Sequence, residues 1–363
     1  MYIKSLELKN YRNYENFSIE FSKNLNLIIG QNAQGKTNLI EAISLSSIGK
    51  SFRTSKDNEL LKFGEETATI KVSAEKNIID TKVEISINKQ HKKSIKKDGN
   101  IVRKTSELID NIIIVIFSPE DLKIVKDEPE KRRRFIDREL AQIKPAYYDC
   151  LSNYKKILAH RNAHLKEDFI DSSILEILDE QLISYGSKLM EMRNDFINKI
   201  DNFSGKIHKN ITNCKEILKI KYDPNITFED NIHIQKNIFR DIIKKSFEVD
   251  KKLRTTTKGP HKDDMLFFIN GINVRNFGSQ GQQRTCALSL KLAELDFIRE
   301  EADEDGILLL DDVMSELDEE RRNYLVKTLK NNQIFVTTTD FEESLIKNYK
   351  DVKIIEIENG KVI

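Results

Sequence analysis

The sequence predicts an α/β fold that the polypeptide leaves and later re-enters, and three stretches carry that prediction. "NLNLIIGQNAQGKTNLIEAISLSSI" (24–48) is an aliphatic strand, a glycine-bearing turn and a helix in direct succession. "ILLLDDV" (307–313) is a second aliphatic run, ended by two carboxylates and far downstream of the first. Between them the apolar spacing changes from alternation to steps of three and four, as strands give way to helices. The expected organisation is an α/β domain with an antiparallel β-subdomain, residues 1–118 plus 256–363. A mostly helical, coiled-coil-like domain is inserted at 119–255.

Taken in order, "YIKSLELKNY" and "NLNLIIG" read as strands. "TNLIEAISLSSI" has the spacing of a helix packed on one side. "ATIKVSA" and "KVEISIN" alternate, and with the Asp98-Gly99 turn they predict an antiparallel hairpin region. "NIIIVIFSPED" is apolar enough for a strand covered on both faces. From Ile136 the apolar positions are Leu140, Ile143, Tyr147, Leu151, Tyr154 and Leu158, with a break at Pro145. From Leu175 they are Leu178, Leu182, Tyr185, Leu189, Met192, Phe196, Ile200, Phe203 and Ile207. Two long amphipathic helices joined by a short polar stretch make an antiparallel pair. "ILKIKYD" is a short strand, 231–251 a helix, and strand character resumes in "MLFFING" and "INVRNF".

A chain of 363 residues with 39% hydrophobic content can bury a sizeable core. It has no run of 18 apolar residues, and "MYIKSLELKN" does not read as a secretory signal, so a cytoplasmic protein without a membrane partner is expected. Cys150, Cys214 and Cys286 are isolated and give neither a disulfide framework nor a zinc spacing. His160 and His164 lie one helical turn apart, but the Glu and third ligand of a zinc site are missing. The net charge of +1 argues against a uniformly basic coat but leaves room for local patches. "KQHKKSIKKDGNIVRK" (89–104) holds seven Lys/Arg against one Asp, and "KRRR" spans Lys131 to Arg134. Such runs are either solvated faces or phosphate contacts. Lys92, Lys93, Lys96 and Lys97 are the DNA-binding candidates, with Arg53 in "SFRTSK" as a further contact to DNA or phosphate.

"GQNAQGKT" fits G-x-x-x-x-G-K-[ST] without a gap and sits between strand and helix, where the mechanism needs it. The backbone of Gly30, Gln31, Asn32, Ala33, Gln34 and Gly35 would cradle phosphate oxygens, aided by the helix N-terminus. Lys36 would reach the β- and γ-phosphates of ATP, and the Thr37 hydroxyl would ligate Mg2+. Asp311, at the carboxyl end of its strand, is the second metal residue, and Asp312 is placed to orient or deprotonate a water.

"RNFGSQGQQRT" (275–285) raises a different question, because its glycines and amides lead straight into a helix. Ser279 is a natural N-cap, and a helix from Gln280 to about Glu301 is ~33 Å long. A six-residue strand beneath it spans about 20 Å, which leaves an overhang of about 13 Å. Ser279, Gly281 and Gln282, with Arg284, therefore suit an anion that a second copy of the chain brings.

"FGSQGQQRT" resembles the ABC signature motif, with Ser279-Gln280-Gly281-Gln282 as its core, and "SELD" (315–318) resembles the D-loop. With "LKNYRNY" (8–14), "SPEDLKIVKDEPEKRRRFIDREL" (118–140) and "GPHKDDM" (259–265), nearly the whole chain resembles the RecF family of SMC-like ABC ATPases. The resemblance implies an ABC-type P-loop ATPase head and a homodimer closed around two ATP molecules. It also implies binding to DNA, duplex and single-strand/double-strand junctions, and recombinase loading at gaps with RecR and RecO. Two features depart from the wider ABC pattern. Asp312 stands where many such enzymes have Glu, a carboxylate one methylene shorter that suits a slow switch. No Gln stands in "FSPEDL", and "IFVTTTD" offers Thr338, Thr339 and Asp340 instead of a switch His, so those roles stay unassigned. The alternative is an ABC-type ATPase of a defence or transport system that does not act on DNA gaps.

Overall fold

Burial alternates along the opening strand, β1 (Tyr2–Tyr11), with Ile3, Leu6, Leu8 and Tyr11 inside. The one-residue slip after Ile3 is a bulge against β4 (Thr67–Lys76) between Ile3 and Ser5. The computed structural model describes residues 1–363 except 330, 331, 340–345 and 348. These residues form two compact units, Met1–Leu122 with Glu294–Ile363, and Lys123–Ala293.

In the first unit, β1, β2 (Tyr14–Glu20), β4, β5 (Ile79–Asn88), β6 (Ser94–Lys97) and β7 (Asn100–Ile101) form an antiparallel sheet in the order β2-β1-β4-β5-β6-β7. A second sheet runs β15-β14-β3-β13-β12-β8. Its parallel members are β3 (Leu25–Ile29), β8 (Ile114–Phe117), β12 (Ile307–Asp311), β13 (Ile334–Thr338) and β14 (Val352–Glu358). β15 (Lys361–Val362) turns back antiparallel on β14. β12 sits between β8 and β13, so the late strand re-enters the interior of a sheet begun at β3 about 280 residues earlier in sequence, roughly two domains' worth of chain.

α1 (Lys36–Ile48) corrects the expectation of a one-sided helix: from Leu39 to Ser47 every residue is buried. It shares one core with both sheets, including Leu6, Ile70, Ile85, Ile114 and Leu309. Its serines are tolerated there because the Ser44 and Ser46 hydroxyls donate to the carbonyls of Glu41 and Ile43, each at 2.7 Å. Each large aliphatic side chain buried this way contributes roughly 1.5–3 kcal/mol.

The second unit contains α2 (Pro129–Ile143), α3 (Pro145–His164), α4 (Ser172–Ile211), β9 (Leu218–Asp223) and α5 (Ile232–Leu253). The break between α2 and α3 falls at Lys144, before Pro145, as expected. α3 and α4 are antiparallel: the Tyr147 hydroxyl meets Arg193, Cys150 meets Tyr185, and Arg161 meets Asp179. β10 (Asp264–Ile269) pairs with β9 and with β11 (Ile272–Asn273). The β9–β10 hydrogen bonds hold the returning strand, 264–269, to the insertion, so the second unit extends past the expected end at 255. "INVRNF" is also not a strand beyond Asn273. The Asn273 side chain accepts from Asn276 N and caps a short helix, α6 (Val274–Phe277). α7 (Gln280–Ala302) and α8 (Glu319–Thr328) complete the chain's larger helices.

The KRRR run is mostly structural. Arg132, 1% exposed, makes a bidentate pair with Asp264 at 2.6 and 2.8 Å, and Arg133 donates to Asp263 O at 2.6 Å. Lys131 and Arg134 lie on the surface and pair with Asp127 and Glu130 one turn back. Arg132→Ala leaves the Asp264 carboxylate without its partner and is expected to lower stability by about 3–5 kcal/mol, read by chemical denaturation. An apolar pair at both positions, Arg132→Met with Asp264→Leu, should cost clearly less.

Candidate functional site

The phosphate loop joins β3 to α1, and its residues are those the motif named. Ala33 (φ 67°) and Gly35 (φ 118°) take left-handed conformations, and a Cβ on Gly35 would lie 2.6 Å from Asn13 Nδ2. Lys36 is buried and its Nζ donates to Gly30 O at 2.6 Å and Gln31 O at 3.2 Å, so the ammonium lies over the loop. Gln31, Asn32 and Ala33 are exposed.

Thr37 and Asp311, 274 positions apart, are in direct contact: Thr37 Oγ1 donates to Asp311 Oδ1 at 3.0 Å. Thr337 Oγ1, on β13, donates to the same oxygen at 3.0 Å and accepts from Asp312 N at 2.8 Å. Burial raises the Asp311 carboxyl above the usual range, the two threonine hydroxyls oppose that shift, the Asp312 charge adds to it, and Arg53 offsets part of it. A hydroxyl and a carboxylate on one point are the oxygen donors a hard divalent cation prefers, so the residues present fit Mg2+. Asp312 follows in a left-handed conformation, φ 53°, which turns it off the strand.

Behind the loop, Glu41 of α1 is fully buried. Its carboxylate accepts from the Tyr11 hydroxyl (3.0 Å), Arg12 (2.8 and 2.9 Å) and Ser51 (2.5 Å). Arg53 Nη1 donates to Asn38 Oδ1 at 2.8 Å and to Glu41 Oε2 at 3.4 Å. Arg53 is therefore tied to the phosphate-loop helix, one residue beyond Thr37, while its side chain stays 41% exposed.

In the other unit Ser279 and Gln282 form a reciprocal cap. Gln282 N donates to Ser279 Oγ at 3.2 Å, and Ser279 N donates to Gln282 Oε1 at 3.0 Å. Gln282 is further held by Glu216, and Gln283 donates to Gly278 O at 2.9 Å. Phe277, just before the cap, is exposed. The N-cap of α7 is thus closed by its own hydrogen bonds, with Ser279 and Gln280 exposed.

The lysine candidates separate. Lys93 pairs with Asp57 at 2.6 Å. Lys97 Nζ lies 3.5 Å from Glu107 O. Lys96 stands opposite Glu84, Glu84 opposite Lys71, and Lys71 opposite Glu7, an alternating ladder across four strands. Such pairs stabilise the sheet by about 0.2–1 kcal/mol each and offset one another's charge. A shallow hollow of about 640 Å³ on this face includes Glu7, Lys71 and Glu84 and none of the phosphate-loop residues. Lys92 is exposed in the loop before β6.

The family model for the RecF/RecN/SMC N-terminal domain matches residues 2–362. The DNA replication and repair protein RecF of Alkaliphilus oremlandii (strain OhILAs) is 45% identical over 364 residues, covering all of both chains. The chain belongs to the RecF family. A solved structure of the recombination mediator protein RecF-ATPrS in the RecFOR pathway has a TM-score of 0.93 at 38% identity, covering 99% of this chain and 97% of that one. A second, RecF-ATP in the RecFOR pathway, has a TM-score of 0.91 at 38% identity, covering 100% and 97%. Among the described residues no helix is long and apolar enough to cross a membrane. Of the residues around this RecF-family site, the loop motif by itself gives no role to Asn13, Tyr14, Glu41 or Thr337. Asn13 and Tyr14 stand in "LKNYRNY", which was legible, whereas a threonine in an aliphatic strand gave no signal. Asp340, one of the residues at the switch position, lies outside the described residues.

Proposed function

We propose that the chain is a slow ATP-dependent switch that binds DNA in recombinational gap repair and replication. It dimerises on ATP and aids recombinase loading at single-strand/double-strand junctions, with RecR and RecO as partners. The observation that carries the nucleotide part is the 3.0 Å contact between Thr37 and Asp311 beside the Gly30–Thr37 loop. Gly30 to Gly35 hold phosphates through backbone N–H groups, Lys36 swings from its loop carbonyls to the phosphate oxygens, and Thr37 and Asp311 hold Mg2+. Mg2+ neutralises charge developing on the phosphates when it is bound. Asp312 orients the water, and its short reach keeps turnover slow. Ser279, Gly281, Gln282 and Arg284 act on the nucleotide of the partner protomer, which makes ATP the link between the two chains.

ATPase rate measured with and without gapped duplex DNA tests this reading, and a rate that rises with the gapped DNA is expected. A rate indifferent to DNA, with DNA binding indifferent to ATP, would favour the transport- or defence-type alternative.

The basic loop supplies a separate expectation. Lys92→Glu with Lys96→Glu should weaken binding to all DNA sequences alike and lower the salt slope by about one for each phosphate no longer neutralised. Lys93→Gln should act instead on the Asp57 pair and leave the slope unchanged. Filter binding across a salt series reads both, and an unchanged slope in the double variant would make the lysines a solvated face.

A further inference from the structure

Two turns from opposite ends of the chain close on one peptide of the phosphate loop. Gln34 O accepts from Asn13 Nδ2 at 2.9 Å and from Gly360 N at 3.1 Å. The Gln34 side chain accepts from Asn359 N at 2.6 Å. The next carbonyl, Gly35 O, accepts from the Tyr14 hydroxyl at 2.9 Å and from Leu39 N at 3.0 Å. Asn13 is itself held, because its Oδ1 accepts from Asn38 Nδ2 at 2.8 Å. The fit leaves no spare room: a Cβ on Gly360, whose φ is +72°, would lie 2.5 Å from Asn13 O. The β1–β2 turn, the loop and the β14–β15 turn are thus in mutual contact.

A trans peptide is planar, with its C=O and N–H on opposite sides. Holding Gln34 O therefore sets the direction of the Gly35 N–H, and holding Gly35 O sets that of the Lys36 N–H. A phosphate cradle depends on the aim of such N–H groups. We infer that Asn13, Tyr14 and the Asn359–Gly360 turn are positioning residues for the phosphate loop, Asn13 and the turn acting through Gln34 and Tyr14 through the Gly35 carbonyl. The C-terminal hairpin then belongs to the nucleotide site as well as to the edge of the sheet. This inference rests on the ATP reading of Gly30–Thr37.

Asn13→Asp keeps the size and the acceptor for Asn38 but replaces the amide donor facing Gln34 O with a carboxylate oxygen. Its Kd for ATP is expected to rise at least about tenfold. Inorganic triphosphate, measured in competition, should lose affinity by the same factor, because the defect lies in the phosphate cradle. Gly360→Ala should act the same way from the other turn. Tyr14→Phe deletes one oxygen from a buried ring, is the safest of the three to fold, and should raise Kd roughly three- to tenfold. Unfolding without nucleotide is measured alongside, since a merely structural role would lower that stability and leave Kd unchanged. An ATP Kd within twofold of wild type in the folded variants overturns the inference. So does a loss for ATP that triphosphate does not share. Failure of the wild-type chain to bind ATP would instead overturn the nucleotide reading.

Discussion

Ser279→Arg is expected to abolish ATP-dependent dimerisation while leaving the single chain's ATP affinity nearly unchanged. In the proposed site the phosphates are held by Gly30–Thr37, and none of those groups is touched. At the N-cap, the substitution adds bulk and removes the hydroxyl that accepts from Gln282 N. Losing the cap costs about 0.5–2 kcal/mol, small enough for α7, which runs to Ala302, to persist. Ser279→Asp separates capping from contact. It keeps a good cap but presents a negative charge to an anion, so it too should lose the dimer. Asp312→Asn should do the reverse, slowing hydrolysis so that the ATP-bound dimer accumulates. Mixing Ser279→Arg with Asp312→Asn then distinguishes action in trans from action within one chain. In trans, the loop and Asp312 of the Ser279→Arg chain face an intact partner cap, so one composite site is whole. Within one chain, each site keeps one defect and no whole site forms. Sedimentation and ATPase rate of the mixture, with ATP and Mg2+, report the difference. Loss of nucleotide binding by monomeric Ser279→Arg, with Asp312→Asn remaining monomeric in ATP, would exclude the trans arrangement.

Lys36→Arg is expected to reduce ATP affinity by about a hundredfold or more, close to 2.7 kcal/mol. Lys36 Nζ lies in a buried position and reaches two loop carbonyls as a compact point charge. Arg keeps the charge, but its planar fork needs more space and different directions than an ammonium. Some of the effect should appear as overpacking, on the order of 1–3 kcal/mol of stability, so unfolding without nucleotide must be followed too. The clean readout is the rise in unfolding temperature with ATP, which depends on ligand concentration over Kd. Wild type should show that rise and Lys36→Arg should not. An equal rise in both would remove Lys36 from the phosphate site.

Much of the fold was legible because it is written in local patterns. β1 begins and ends where its alternation does, α1 starts at the lysine of the loop, and the α2–α3 break falls at the proline that requires it. The length and cap of α7 follow from Ser279 and the residues just after it. Other features were not legible for physical reasons. The apolar spacing of α1 looks one-sided, yet the helix is buried on every side, and Ser44 and Ser46 are tolerated inside because their hydroxyls donate to its own carbonyls. Lys93, Lys96 and Arg132 are alike as sequence, but one pairs with Asp57, one stands in a ladder with Glu84, and one is sealed against Asp264.

What the sequence by itself determined is therefore local shape: a strand, glycine-bearing loop and helix; a strand ended by carboxylates; a helix capped at Ser279; and the order in which they occur. Each depends on hydrogen bonds and spacing within a few neighbouring residues. Only the tertiary structure decided that β12 lies between β8 and β13, which brings Asp311 onto Thr37 and Thr337. The same holds for the β9–β10 pairing that keeps the returning strand 264–269 with the insertion, and for the convergence of Asn13 and Gly360 on Gln34. These contacts join residues far apart in the chain, and which partner each finds is set by sheet order and shared burial, quantities that no local window contains.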